Sequence, residues 1–156
     1  MIGAIPNPTR SITLNYSVDH VTEVLNELPE VHKTMRIEGY TLQEKTPTIL
    51  QWKFQKTEFL SLGSLIIIHL EEVGERTKMS VEVTRVIGAF DSWVEVQNAN
   101  RHLDVIYKSV AFGLNPPSQE EIEDLQVKQE NSNDSNALWT VVIGIFGFLA
   151  LLGTIM

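Results

Sequence analysis

The chain has 156 residues, a formal charge of −8 and no cysteine. A single domain takes about 100–200 residues, so this length allows one domain with appendages. The lack of cysteine excludes a disulfide framework and thiolate chemistry. An acidic chain without a basic patch cannot neutralise phosphates, so we expect no nucleic-acid partner.

The acidity is unevenly distributed. Residues 1–114 hold 11 Lys and Arg against 14 Asp and Glu, whereas residues 115–136 hold one lysine against six acidic residues. The last twenty residues carry no charge. This composition predicts four segments: an N-terminal extension (1–9), a soluble domain (10–114), an acidic linker (115–136) and a transmembrane helix (137–156).

The domain is expected to open with a strand and a helix. Ser11–Ser17 alternates apolar and polar residues, which predicts a half-buried strand. Ser17 or Asp19 can cap the helix that follows, in which apolar residues recur at helical spacing: Val18, Val21, Leu25 and Leu28. Pro29 lacks the N–H of a helix interior, so the helix is predicted to stop there and a second short helix to continue through Met35.

The remainder of the domain is predicted to form a sheet and one long helix. Strand-like patterns cover four runs: Tyr40–Glu44, Thr48–Lys56, Leu65–Glu71 and Thr77–Ile87. The third run contains LIIIHL, which is typical of a strand covered on both faces or lying in the middle of a sheet. The link Glu72–Arg76 predicts a hairpin turn. Apolar residues then recur at threes and fours from Ser92 to Phe112, and Ser92 with Glu95 forms a capping box.

This element order resembles the helix-grip superfamily, which includes START lipid-transfer domains, the birch-pollen-allergen fold and polyketide-cyclase relatives. The resemblance covers Arg10 to Leu114 and depends on the opening SITLNYSVDHVTEVLNEL and the closing helix that begins at FDSW. It implies an α+β fold, with an antiparallel sheet packed against the long C-terminal helix. Members usually have seven strands and we predict five, so the reduced sheet leaves less room for a cavity.

The resemblance also implies an apolar ligand between sheet and helix. The candidate lining residues are Trp52, Phe54, His69, Val81, Val83, Arg85, Leu103 and Tyr107. The alternative interpretation is that the same side chains form an ordinary core, which a domain of this size needs. If His69 and Arg85 point inward, they are expected to meet the polar end of a ligand.

No pattern of residues indicates catalysis. The four histidines have no recognised metal-binding spacing, and no nucleophile motif or phosphate-binding loop occurs. We therefore predict no catalytic residues, no metal and no cofactor.

The C-terminal stretch predicts a membrane anchor. A helix of about twenty residues spans the hydrocarbon core, and eleven of the residues 138–156 are Leu, Val, Ile or Phe. Small residues recur every third position and can let a second helix approach: Gly144, Gly147, Ala150 and Gly153. With no secretory signal at the N-terminus, the layout resembles a tail-anchored protein whose domain faces the cytosol.

These observations lead to a membrane-tethered, non-enzymatic binding module as the first hypothesis. Its partner is the lipid bilayer together with a partner protein or an apolar small molecule such as a lipid or quinone. The alternative is a single-span accessory subunit of a larger membrane complex, which contacts other subunits through its C-terminal helix. An enzyme of the cyclase or hydrolase kind is the third hypothesis.

Overall fold

The computed structural model describes residues 5–46, 49–58 and 61–118. The chain divides into two compact units, Met1–Leu114 and Asn115–Met156. The elements of the first unit, in chain order, are β1 (Thr9–Leu14), α1 (Val18–Thr34), β2 (Tyr40–Thr46), β3 (Gln51–Glu58), β4 (Ser61–Val73), β5 (Arg76–Arg85) and α2 (Trp93–Leu114). None of the described helices is long and apolar enough to cross a membrane. The predicted transmembrane helix lies outside the described residues.

The five strands form one antiparallel sheet in the order β1-β5-β4-β3-β2, with α2 packed against it. This confirms the predicted α+β architecture of an antiparallel sheet and a long C-terminal helix. The apolar run LIIIHL belongs to β4, the middle strand, as its composition indicated. The short edge strands β1 and β2 are the more exposed ones.

The prediction that the first helix stops at Pro29 is wrong. One helix, α1, runs from Val18 to Thr34 with Pro29 inside it. Ser17 is its N-cap, and the Ser17 side chain accepts a hydrogen bond from the backbone N–H of His20. The buried stripe of α1 continues past the proline to His32. Packing of that last turn therefore outweighs the lost hydrogen bond, which costs about 3 kcal/mol.

Some strand ends also differ from the prediction. β3 begins at Gln51 because Leu50 adopts a left-handed conformation (φ 49°) that does not fit a strand. β5 ends at Arg85, two residues before the predicted end at Ile87, although the N–H of Val86 still donates to the carbonyl of Gly63 opposite it on β4. The predicted hairpin turn is present and places Gly74 at φ 63°.

The core lies between the inner face of the sheet and the two helices. Strands β3, β4 and β5 contribute alternate buried residues, and α2 contributes a stripe that includes Leu103 and Ile106. The helices approach each other closely at Gly113, where an added Cβ would lie 2.5 Å from Val24 Cγ1. The capping box of α2 is confirmed: Glu95 N–H donates to Ser92 Oγ (3.3 Å) and Ser92 N–H donates to Glu95 Oε2 (3.2 Å).

Candidate functional site

Five of the eight predicted lining residues belong to the packed core. These residues are at most 1 % exposed and belong to one cluster: Trp52, Phe54, Val81, Val83 and Leu103. The indole of Trp52 is also satisfied, because its Nε1–H donates to Asn26 Oδ1 at 3.1 Å. Their arrangement is what an ordinary core requires.

Tyr107 links α2 to the sheet through hydrogen bonds of its hydroxyl. Its hydroxyl donates to the carbonyl of Arg10 on β1 (2.5 Å) and lies 3.3 Å from the carbonyl of Met79 on β5. Burial raises the pKa of Tyr107 to about 12, although the charge of Arg10 opposes this shift. Arg10 also pairs with Asp104 on α2 at 2.6 Å. Tyr107 therefore bonds to backbone groups of the fold.

His69 faces away from the helices, which corrects its prediction as a lining residue between sheet and helix. On β4 the buried residues are Ile66, Ile68 and Leu70. Successive side chains of a strand alternate between faces, so His69 lies on the opposite face of the sheet, and it is exposed. It cannot line a space between the sheet and α2.

Arg85 holds the loop between β5 and α2. Its Nη1 donates to the carbonyl of Ala89 at 3.1 Å and lies 3.2 Å from Glu95 Oε1 and 3.7 Å from Asp91 Oδ2. The backbone N–H of Asp91, bonded to Glu95 Oε2 at 3.0 Å, lowers the pKa of Glu95, and Arg85 acts in the same direction. Arg85 thus organises this loop through charge-assisted hydrogen bonds.

Four exposed apolar residues, which no sequence pattern had indicated, lie in this loop and in the first turn of α2. We name this set the apolar loop patch, and its members are Val86 (39 % exposed), Ile87 (65 %), Trp93 (71 %) and Val94 (67 %). Between them, Phe90 is only 2 % exposed and accepts a backbone hydrogen bond from Ile5. An inward Phe90 anchors a loop whose neighbouring apolar residues face solvent.

A second group of side chains lies where both helices meet strands β2 and β3. We name it the His32 corner: His32 on α1, Tyr40 on β2, Phe54 on β3 and His102 on α2. The ring centroid of His32 lies 5.2 Å from that of Tyr40 and 6.4 Å from that of Phe54. The Tyr40 hydroxyl is 2.9 Å from Nδ1 of His102, in hydrogen-bonding distance.

His32 is the unusual member of this group. It is 3 % exposed, and neither of its ring nitrogens has a hydrogen-bond partner among the residues that the structure describes. Burial lowers the pKa of His32 to about 4, so the imidazole is neutral near pH 7. His32 follows Leu25 and Leu28 at helical spacing and so lies on the apolar stripe of α1. A sequence prediction that continued this helix past Pro29 would have identified His32 as a buried residue.

The His32 corner and the apolar loop patch lie at the same end of the sheet. Tyr40 pairs with Lys56, Lys56 with Ser64, and Ser64 with Arg85. These residues form one row across four strands, and strands are about 4.8 Å apart, so Tyr40 and Arg85 are separated by about 14 Å. The two features therefore flank one end of the domain.

Within residues 5–46, 49–58 and 61–118, no three His, Cys, Asp or Glu side chains are close enough together to hold a metal ion. The predicted helix-packing residues lie outside the described residues: Gly144, Gly147, Ala150 and Gly153.

No protein-family model and no curated protein matches the chain. Solved structures do match. CalU16 from Micromonospora echinospora is 14 % identical with a TM-score of 0.53, and the match covers 90 % of this chain and 93 % of CalU16. Ara h 8.0201 is 12 % identical with a TM-score of 0.51, covering 67 % of this chain and 94 % of that protein. Protein BH1534 from Bacillus halodurans is 10 % identical with a TM-score of 0.50, covering 72 % and 99 %.

At these identities the similarity concerns the fold alone. Each of these solved structures is matched over more than nine-tenths of its own length. Together with the strand order and the long closing helix, the matches show that this chain has the helix-grip fold.

Proposed function

We propose that this chain is a non-enzymatic binding module, held beside a membrane by residues 137–156, that docks a partner protein through the apolar loop patch. The observation that carries the proposal is the exposure of Ile87, Trp93 and Val94, each at least 65 % accessible. Exposed apolar clusters on a folded domain mark interaction sites, and tryptophan is the residue most enriched where binding energy concentrates.

The loop that bears the patch is held in place. Arg85 bonds the carbonyl of Ala89 and pairs with Glu95, and Glu95 accepts the N–H groups of Asp91 and Ser92. A surface that is already ordered loses less conformational entropy on binding, so more of its burial energy contributes to affinity. This supports docking of a folded partner.

Charge favours a protein over the lipid surface itself. Asp91 and Glu95 flank the patch, and the linker 115–136 adds a net charge of −5. Acidic groups are repelled by anionic headgroups, whereas a partner with an apolar centre and a basic rim complements them.

Native sizing of the full-length protein extracted from membranes tests the proposal. The double variant I87S/W93S removes the two largest side chains of the patch, which lie on either side of Phe90 in the sequence. Val73→Ser is the matched control, because Val73 is 47 % exposed at the opposite end of the sheet. We expect the wild type and Val73→Ser to migrate in an assembly larger than the monomer, and I87S/W93S to migrate as the monomer.

Two outcomes contradict docking through the patch. One is a wild-type protein that migrates as a lone monomer. The other is an assembly that survives I87S/W93S and disappears when residues 137–156 are replaced by a leucine-rich span without Gly144, Gly147, Ala150 and Gly153. That second result would favour the accessory subunit, which contacts its complex through the membrane helix.

A further inference from the structure

The two edges of the sheet differ in the features that discourage a further strand. β2 forms one edge, where its ladder with β3 shifts register between Leu42 and Glu44, and Glu44 and Lys45 add charges. Bulges and charges of this kind keep natural sheets from pairing edge to edge. β1 forms the other edge and pairs with β5 over six consecutive residues without a shift. Within the described residues, no strand covers the outer side of β1.

β1 has one charged residue, and that charge is already engaged. Arg10 pairs with Asp104 on α2 at 2.6 Å, and its Cζ lies 5.7 Å from the ring centroid of Tyr107. The other residues of β1 are uncharged: Thr9, Ser11, Ile12, Thr13 and Leu14. The charge of Arg10 is therefore held toward α2, and β1 lacks the charges and the bulge that protect β2.

The free backbone groups of β1 belong to every second residue. Val83 N–H donates to the carbonyl of Pro8, the residue before β1, at 2.9 Å. Hydrogen-bonded pairs alternate along an antiparallel ladder, so the even-numbered residues of β1 bond β5. The N–H and C=O groups of Thr9, Ser11 and Thr13 consequently point away from the sheet, and these three residues are exposed. Such a row of backbone groups is a template for another strand.

We propose that β1 pairs with β1 of a second copy of this chain, antiparallel and centred on Ile12, which joins two five-stranded sheets into one. Ile12 pairs with buried Met79 and so lies on the face of the sheet that bears the helices, yet it is 36 % exposed. In this register the two Ile12 side chains are neighbours at a non-hydrogen-bonded position, where cross-strand side chains are closest. Pairing therefore covers the apolar side chain that the edge leaves exposed.

The side chains of β1 suit a copy of the same strand. Ser11 lies opposite Thr13 of the second copy, so their backbone groups bond and their hydroxyl side chains are neighbours, a favourable cross-strand pair. Arg10 lies opposite Leu14, so the two arginines do not meet. A register centred on Arg10 would place like charges opposite each other, and one centred on Ser11 would place Ile12 opposite Arg10. The register centred on Ile12 avoids both.

The pairing rests on the membrane tether of the proposed function, because the contact is small. β1 has six residues, whereas a stable complex takes about 20–30 residues from each partner. Such a contact dissociates on dilution in detergent, so native sizing of extracted protein does not report it. Chains held in one membrane meet at a higher effective concentration, which populates weak contacts. Every copy brings the same strand, so no further component is needed.

Disulfide trapping in membranes tests the pairing, since the chain has no cysteine of its own. Full-length Ile12→Cys, Ser11→Cys and Ile49→Cys are produced separately, and membranes of the producing cells are oxidised with copper phenanthroline. In the proposed pair the two residues 12 lie about 4.5 Å apart, within the range of a disulfide, whereas the two residues 11 lie diagonally, about 7–8 Å apart. Ile49, 53 % exposed, precedes β3, three strands from β1. We expect at least fivefold more disulfide-linked dimer with Ile12→Cys than with either control.

A proline at residue 11 blocks this edge and spares the bonds to β5. In the Ile12→Cys background, Ser11→Pro removes an N–H that points away from the sheet, which an edge strand tolerates. We expect this change to abolish the dimer. The I87S/W93S change in the same background should leave the dimer unchanged, because the apolar loop patch is a separate surface.

The outcomes separate the pairing from the proposed function. Equal cross-linking of Ile12→Cys and either control overturns the pairing, as does a dimer that persists with Ser11→Pro. Ile12→Cys that is found in the membrane fraction but stays monomeric after oxidation overturns the pairing and leaves the tether intact. Full-length protein in the supernatant of lysed cells overturns the tether and the pairing with it. If Ser11→Pro fails to fold, the three cysteine variants decide the matter.

Discussion

The middle of the sheet and the His32 corner each bury a large ring side chain, Trp52 and His32, but satisfy its polar atoms differently. Trp52 is fully buried and its indole N–H bonds Asn26 at 3.1 Å, whereas the nearly buried His32 has no such bond within the residues described. In the middle, burial and hydrogen bonding both stabilise the fold. In the corner, burial of apolar surface stabilises the fold, whereas the unpartnered imidazole of His32 destabilises it. The difference means that the corner contains a buried polar group that lowers stability, whereas the middle does not.

The largest expected effect concerns the middle of the sheet. Trp52→Ala leaves a cavity in the core cluster and removes the partner of Asn26, so we expect the free energy of unfolding to fall by about 3–5 kcal/mol. Chemical denaturation measures this change. Ile49→Ala, at a position 53 % exposed, is the control and should change stability by no more than about 0.5 kcal/mol. A similar small loss for Trp52→Ala would mean that the middle is not tightly packed.

The second effect comes from the corner and depends on pH. Burial lowers the pKa of His32 from 6.5 to about 4, so between these values the unfolded chain binds more protons than the folded one. The folded state therefore has its full stability, as far as His32 is concerned, above pH 6.5. As the pH falls toward 4, the free energy of unfolding decreases by about 3 kcal/mol, at 1.36 kcal/mol per pH unit.

Denaturation of the wild type and His32→Leu between pH 7 and pH 4 isolates this contribution, because other titrating groups are common to both proteins. The wild type should lose more stability than the variant over this interval. Parallel curves would show that His32 is solvated, which would remove the contrast between the corner and the middle.

A smaller effect is expected at the contact between α2 and the sheet. Tyr107→Phe removes the hydroxyl that bonds the carbonyl of Arg10 and approaches that of Met79. We expect a loss of about 1–2 kcal/mol, measured by denaturation at pH 7, since these backbone acceptors lose a partner. An unchanged stability would indicate that the hydroxyl adds nothing to the attachment of β1.

The smallest effect is expected at the start of α2, beside the apolar loop patch. Ser92→Ala removes one half of the capping box with Glu95 and should cost about 0.5–1 kcal/mol. If the patch is a docking surface held by this box, the variant should also reduce the fraction of protein in the large assembly. If the assembly changes while the stability does not, Ser92 affects docking without contributing to helix capping, which contradicts this prediction.

The sequence predicted the architecture well because the sheet and helices follow simple periodicities. The alternation in Thr77–Ile87, the apolar run of β4 and the Ser92–Glu95 box each identified an element. The prediction was wrong at Pro29, where packing of the final turn of α1 overrides the local preference of proline. Local rules do not include that tertiary contribution.

The candidate site was harder to predict for physical reasons. Trp52 and Tyr107 are apolar or amphipathic residues whose pattern is the same for a core and for a pocket. His69 alternates to the other face of β4, which the unbroken apolar run concealed. Arg85 is bound by groups of its own loop, including Glu95, which only the structure brings into contact. The His32 corner joins residues from four elements, and no single segment contains its signal.

The free energy of unfolding of His32→Leu at pH 7 tests the central claim most directly, namely that the buried, unpartnered imidazole of His32 makes the corner less stable than the middle of the sheet. Leucine keeps the position apolar and removes two buried polar atoms, so we expect stability equal to the wild type or higher by up to about 2 kcal/mol. A loss of more than about 1 kcal/mol would contradict the account, because it would show that the imidazole supports the fold.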